Sequence, residues 1–298
     1  MALDGRVQMS LRVDNLDPEE LGLNGFPAGT VSVSARVDGT VLEPAGTADL
    51  QWDHVQSETL ADPLKVHVEL AGGTVEATFQ EWRTAAGPVH GEATIPLGGV
   101  PRPEWLWSGA PEGPIRARMT GIGLRSGPLV EALDVRPLPG EVAGDLAVDV
   151  VWNLEDPEAR HVLLELFGVT IKGEHMDLAS ESTLRARLVD GRIEVEPVAL
   201  AGPRSHVDFG GVYDLRSDRL VGAVDLNLSA RIVEMLPFSV QATGPIRIQA
   251  AVDGPLTAPT ATLSVDHRGG SIVVRDPAVE ITDLHLEIEV DDGVVWIQ

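Results

Sequence analysis

The chain has 298 residues, 43% of them hydrophobic, enough for a large core or two average domains and too apolar for a disordered chain. Its 46 Asp and Glu against 22 Lys and Arg leave a formal charge of -24, which argues against nucleic acid or an anionic membrane surface as the main partner. The absence of Cys excludes disulfides and thiolate metal sites.

The opening "MALDGRVQMSLRVDNL" alternates apolar and polar residues and lacks the basic and apolar regions of a signal peptide. No apolar run in the chain approaches the roughly 18 residues of a membrane span. Because the chain starts beside one strand pattern and stops in another, "VVWIQ", it is expected to be a segment of a longer protein whose targeting and anchoring parts lie outside it. "DPEELGL" predicts a helix of about two turns, with Asp17 as N-cap, Pro18 at the first helical position, and Glu19 and Glu20 where the helix dipole favours acids.

Strands with one buried face follow, marked by period-two alternation. "VSVSARV" places Val31, Val33, Ala35 and Val37 on one side, and "LKVHVEL" does the same with Val66, Val68 and Leu70. "ELAGGTVEA" predicts a hairpin across Gly72 and Gly73 that pairs Leu70 with Val75 and Val68 with Ala77, and Phe79 continues the row. In the Pro/Gly-rich insertion "PRPEWLWSGAPEGP", Trp105 and Trp107 are expected to anchor the loop to the sheet, the alternative being a partner or lipid-rim contact. After "IRARMTGIGL", "GPLVEALDV" predicts a second short helix.

"ARLVDGRIEVE" predicts a type I′ hairpin turning at Asp190 and Gly191, where both residues need positive φ. Pairing outward sets Val189 opposite Arg192, Leu188 opposite Ile193, Arg187 opposite Glu194, Ala186 opposite Val195 and Arg185 opposite Glu196. One face is then apolar, extended by Leu184, and the other carries opposite-charge pairs that favour the ladder. "ARIVEMLPF", after "GAVDLNLS", predicts a third short helix. "IRIQAAV" offers Ile246, Ile248 and Ala250, and "LHLEIEV" offers Leu286, Ile288 and Val290. "EVDDGVVWI" repeats the hairpin at Asp292 and Gly293, pairing Val290 with Val295 and Ile288 with Ile297, and sets Trp296 opposite Glu289 on the outer face.

The hairpins recur at regular spacing. Pro157 to Gly191 and Pro259 to Gly293 each span 34 positions, an offset of 102, and Pro44 to Gly73 spans 29. One continuous repeat array without separate domains is the simplest account: 1–28 ends a preceding repeat, 29–139 and 140–243 are repeats, and 244–298 is a partial one. About fifteen strands then present one apolar face each, more than the short helices can cover. Two coverings satisfy that demand: a dry sandwich about 10 Å between layers, or a trough covered by an apolar ligand.

Catalytic motifs are missing. The eight histidines (His54, His67, His90, His161, His175, His206, His267 and His285) show no zinc-ligand spacing and are expected at solvated strand positions. Hairpin and cap chemistry explains Asp292 and Asp17 without a calcium loop, and there is no Gly-x-Ser-x-Gly elbow. "GVTIKGEH" lacks the Lys-Ser/Thr order of a P-loop. No enzyme, metal or cofactor is expected.

"GPLTAPTATLSVDHRGGSIVVRDPAVEITDLHLEIEVDDGVVWI", with Gly254, Pro259, the Gly269-Gly270 turn and the Asp292-Gly293 hairpin, resembles the repeat of the AsmA-like and TamB proteins of diderm bacteria. "LVDGRIEVEPVALAGPRSHVDFGGVYDL" followed by "VGAVDLNLSARIVEML" is similar to the same family in its order of hairpin, Gly-marked strand and short helix. The resemblance covers essentially the whole chain and implies an all-β fold: an elongated, curved, mostly antiparallel sheet of repeated β-groove modules with short connecting helices. It implies a segment of a periplasmic lipid conduit, within a longer inner-membrane-anchored envelope protein, carrying phospholipid or other acyl-chain lipids toward the outer membrane. The apolar residues named above would line the groove. Membrane contact would come only through parts outside this segment. Two alternatives accompany this expectation: a scaffold or chaperone for outer-membrane protein assembly that pairs β-strands, with outer-membrane assembly proteins as partners, and a dry-core structural β-solenoid.

Overall fold

The computed structural model describes residues 6–17, 29–40, 44–54, 63–97, 113–128, 140–153, 156, 160–173, 177–203, 205–230, 240–275, 278–291 and 294–297. The protein is all-β: 82% of the described residues are strand, with one short helix among them, and eighteen strands join in one large, mostly antiparallel sheet. The described residues hold twenty-one strands, more than the fifteen expected, because pieces as short as "IVVR" and "AVEI" also pair. A helical turn starts at Ser126, where the second short helix was expected; the other two predicted helices lie outside the described residues.

Contacts divide the chain into two units, Met1–Val135 with Leu146–Val162, and Arg136–Asp145 with Leu163–Gln298. In the first, β1 (Arg6–Leu16), β2 (Gly29–Thr40), β3 (Pro44–His54), β4 (Leu64–Ala71), β5 (Thr74–Thr84), β6 (Gly87–Pro96) and β7 (Ile115–Arg125) run as a meander, each antiparallel to the next. The strands β8 (Glu141–Trp152) and β9 (Arg160–Lys172) follow.

The second unit continues with β10 (Asp177–Ser180), β11 (Leu184–Val189), β12 (Arg192–Gly202), β13 (Ser205–Asp214) and β14 (Arg219–Ser229). β16 (Pro245–Pro255), β17 (Thr260–His267), β20 (Leu284–Asp291) and β21 (Val294–Ile297) complete its ladder, and β11 to β14, β16, β17, β20 and β21 pair antiparallel in that order. Three short strands, β15 (Val240–Ala242), β18 (Ile272–Arg275) and β19 (Ala278–Ile281), form a separate sheet.

The hairpin registers follow from local turn chemistry. Asp190 and Gly191 have φ of 51° and 75°, the left-handed pair a type I′ turn requires, and β11 and β12 pair Ala186 with Val195, Arg187 with Glu194, Leu188 with Ile193 and Val189 with Arg192. β4 and β5 pair Leu70 with Val75 and Val68 with Ala77, and β20 and β21 pair Val290 with Val295 and Ile288 with Ile297. The expected Arg185 to Glu196 pair does not form, because the β12 register shifts between Val195 and Val198; Arg185 instead donates to Glu165 at 2.7 Å.

The core of the second unit lies along one side of its sheet. Leu228 and Ile246, near neighbouring strand ends, are buried with Ala230, and Ala242 and Ile272 of the small sheet close over them. Leu178, Val198 and Leu200 form a second buried cluster with Phe209 and Val207 packed against it. His267 belongs to this buried side and corrects the expectation of a solvated position. It sits level with Ile246 and Leu284 and is fully buried, with its ring Nδ1 2.8 Å from the Pro245 carbonyl oxygen and no partner for Nε2 among the described residues.

Candidate functional site

Cross-strand registers show which side chains share a face, since residues directly opposite one another point the same way. In the first unit, Val33 lies opposite Leu50, Leu50 opposite Val66, Val68 opposite Ala77, Val75 opposite Ile95 and Phe79 opposite Gly91. Val31, Ala35, Val37 and Leu70 occupy the same face by alternation. The Phe79 ring lies directly over Gly91, so part of its area is spent covering backbone.

In the second unit the apolar face is continuous from β11 to β21. Leu184, Ala186, Leu188, Ile193 and Val195 begin it, Ile246, Ile248 and Ala250 cross its middle, and Leu286, Ile288, Val290, Val295 and Ile297 end it. The structure therefore brings the sequence-predicted lining residues onto one face within each unit. It also adds residues between them: Val198, Leu200, Val207, Phe209, Val224, Leu226, Leu263 and Val265 fill the rows. The alternation in "SHVDFGGVYDL", "GAVDLNLS" and "TATLSVDH" carries the signal for most of these.

Burial along this face is graded. Val31 and Ile246 are buried, Ile193, Val295 and Ile297 are exposed, and the remaining predicted lining residues are half-buried. In the second unit the gradient runs along the strands: the side holding Leu228, Ile246, His267 and Leu284 is closed, and the side holding Leu188, Ile193 and Val290 is open. A dry sandwich would bury both sides.

The opposite face is charged. Arg187 donates to Glu194 at 3.0 Å, Arg192 to Asp214 at 2.9 Å, Arg219 to Asp253 at 3.0 Å and Arg247 to Asp225 at 2.6 Å. Asp214 is drawn down to about 2, first by the Ser217 backbone N–H and then by Arg192. Asp266 raises the His285 imidazole by hydrogen bond and charge, with Glu287 adding to it.

A groove of about 890 Å³ crosses this charged face of the second unit, over β12, β13, β14, β16, β17, β20 and β21. On most of these strands it touches three successive residues. The outer two, such as Ala223 and Asp225, or Thr262 and Ser264, belong to the charged face, and Trp296 alone represents β21. Side chains of small residues form the floor, and the apolar-face residue between each pair contributes its backbone.

Trp105 and Trp107 lie outside the described residues. Trp296 stands opposite Glu289, on the charged face, as its register predicts. Among the described residues, no group of three or more His, Asp or Glu side chains is placed to hold a metal ion, and no helix is long and apolar enough to cross a membrane. The chain matches no family model, no curated protein and no solved structure.

Proposed function

We propose that the apolar face carries the acyl chains of phospholipids or related lipids, as a segment of a periplasmic lipid conduit within a longer envelope protein. One observation supports this most: a continuous apolar face, eight paired strands wide in the second unit, left half-buried and closed along one side only. Such a surface in water is costly, at about 25 cal/mol per Å² of apolar area, and calls for an apolar cover.

The energetics suit passage better than storage. A 16-carbon chain fully dehydrated would gain on the order of 12 kcal/mol before ordering costs, at about 0.8 kcal/mol per methylene. A face built of repeated Val, Ile, Leu and Ala offers adjacent positions of similar depth, so a chain can shift from one to the next without leaving the surface. Charged groups stay on the far face and at the open side, where a headgroup keeps its water.

Native mass spectrometry and lipid extraction of the chain purified without detergent test the proposal. Copurifying phospholipid, exchangeable onto vesicles, is the expected result. A lipid-free chain that takes up no fluorescent phospholipid from vesicles would overturn it.

A further inference from the structure

The geometry points to a second binding site, on the charged face of the second unit, that takes an uncharged oligosaccharide. It rests on the groove described above and is independent of the lipid proposal, since the two surfaces are opposite faces of one sheet.

Size and shape come first. At about 890 Å³ the groove falls within the range of small-molecule sites. Ala223 and Ala251 leave room above the strands, and Trp296, 58% exposed, offers a flat apolar ring at one end. An aromatic plane beside polar groups suits a sugar ring, which presents C–H groups on one face and hydroxyls around its edge.

Charge narrows the class. Among the described residues, the side chains lining the groove include four carboxylates, Asp208, Asp225, Glu287 and Glu289, and no Lys, Arg or His, so phosphate, sulfate and acidic sugars are repelled. Three of the four are already paired from outside the groove: Asp225 accepts from Arg247, Asp208 lies 2.7 Å from His206, and Glu287 lies 3.3 Å from His285. The Arg247 guanidinium balances Asp225, and every carboxylate at the groove keeps lone pairs that accept hydroxyl protons. Gln249, held at 2.9 Å by Asp225, presents its amide in one orientation, and Thr262 and Ser264 add hydroxyls that can donate or accept. Fixed acceptors around an aromatic plane match a polyol better than a point charge.

Titration calorimetry of the full chain with maltohexaose, cellohexaose and chitohexaose tests this, with hexalysine and inorganic phosphate as comparisons. At least one hexasaccharide is expected to bind in the micromolar to millimolar range. Trp296→Ala should weaken it about tenfold, equivalent to about 1.4 kcal/mol, and Ala251→Phe, which fills the floor, should abolish it. Both substitutions are at exposed positions, and thermal unfolding like that of the parent qualifies each variant. Three results overturn the proposal: no hexasaccharide binds at millimolar concentration, binding is unchanged in both variants, or hexalysine or phosphate binds and the sugars do not.

Discussion

Ile193 and Ile246 point to the same face of the same sheet, each the second residue of its strand, and because β12 and β16 run in opposite directions they lie on opposite sides of it, so one substitution made at both compares the open and closed sides directly. Ile193 is 38% exposed and Ile246 only 4%. For Ile193→Asp, about three-fifths of an isoleucine's burial is forfeited, roughly 1–2 kcal/mol from the 1.5–3 kcal/mol of full burial, and the new carboxylate reaches water at the open side. For Ile246→Asp nearly the whole burial energy is lost, and a charge is placed among Leu228, Ala242 and Ile272 without a partner, which costs several kcal/mol more. Against a total stability of about 5–15 kcal/mol, the first variant should fold and the second should be close to unfolded. Urea unfolding followed by tryptophan fluorescence and circular dichroism measures both, and lipid extraction of the folded variant reads occupancy. Ile193→Asp is expected to shift the midpoint modestly and to lose bound lipid. Equal destabilisation by the two substitutions would refute the open side, since it would mean that the hairpin face is covered by protein.

Three further outcomes follow from named features. Gly191→Val forces a branched side chain into φ of 75°, so unfolding should come about 1–2 kcal/mol sooner by denaturant titration, while the same change at the half-buried Ala186 should be milder. Asp214 is held down to about 2 in the folded chain against its ordinary 3.8, so its contribution is complete above pH ~5 and is lost as pH falls toward 2; denaturant midpoints across that window should slope less in Asp214→Asn. Val294→Lys should leave lipid occupancy intact, because β21 pairs with β20 alone among the described residues, and a lysine opposite Asp291, on the charged side of that strand, opposes strand addition without touching the apolar face; loss of lipid from the folded variant would move the site to the strand edge.

Local chemistry was the most legible part of the fold. An Asp-Gly or Gly-Gly turn fixes which residues face each other over the next few pairs, and all three hairpin registers were readable from those letters. Where the period slips, the signal is lost. The shift in β12 puts Val195 and Val198 on one face although three positions separate them, which is why the Val198 and Leu200 cluster escaped a strict period-two pattern. His267 shares the alternation of Leu263 and Val265, but only the small sheet, built from strands of three and four residues, shows that its position is roofed. The groove on the charged face was invisible in sequence, because Asp208, Gln249 and Trp296 are brought together only by the pairing of seven strands.

The small sheet of β15, β18 and β19 covers the strand ends at Leu228 and Ile246 and leaves the other ends open. A molecule with one oily and one wet end lying on this face would meet packed protein at the roofed ends and water at the others, so its head would turn to the open side. If this face carries lipid as proposed, every molecule in the file would face the same way, and none would need to somersault between neighbours. The mouth runs the length of the file, so boarding need not be confined to its two ends.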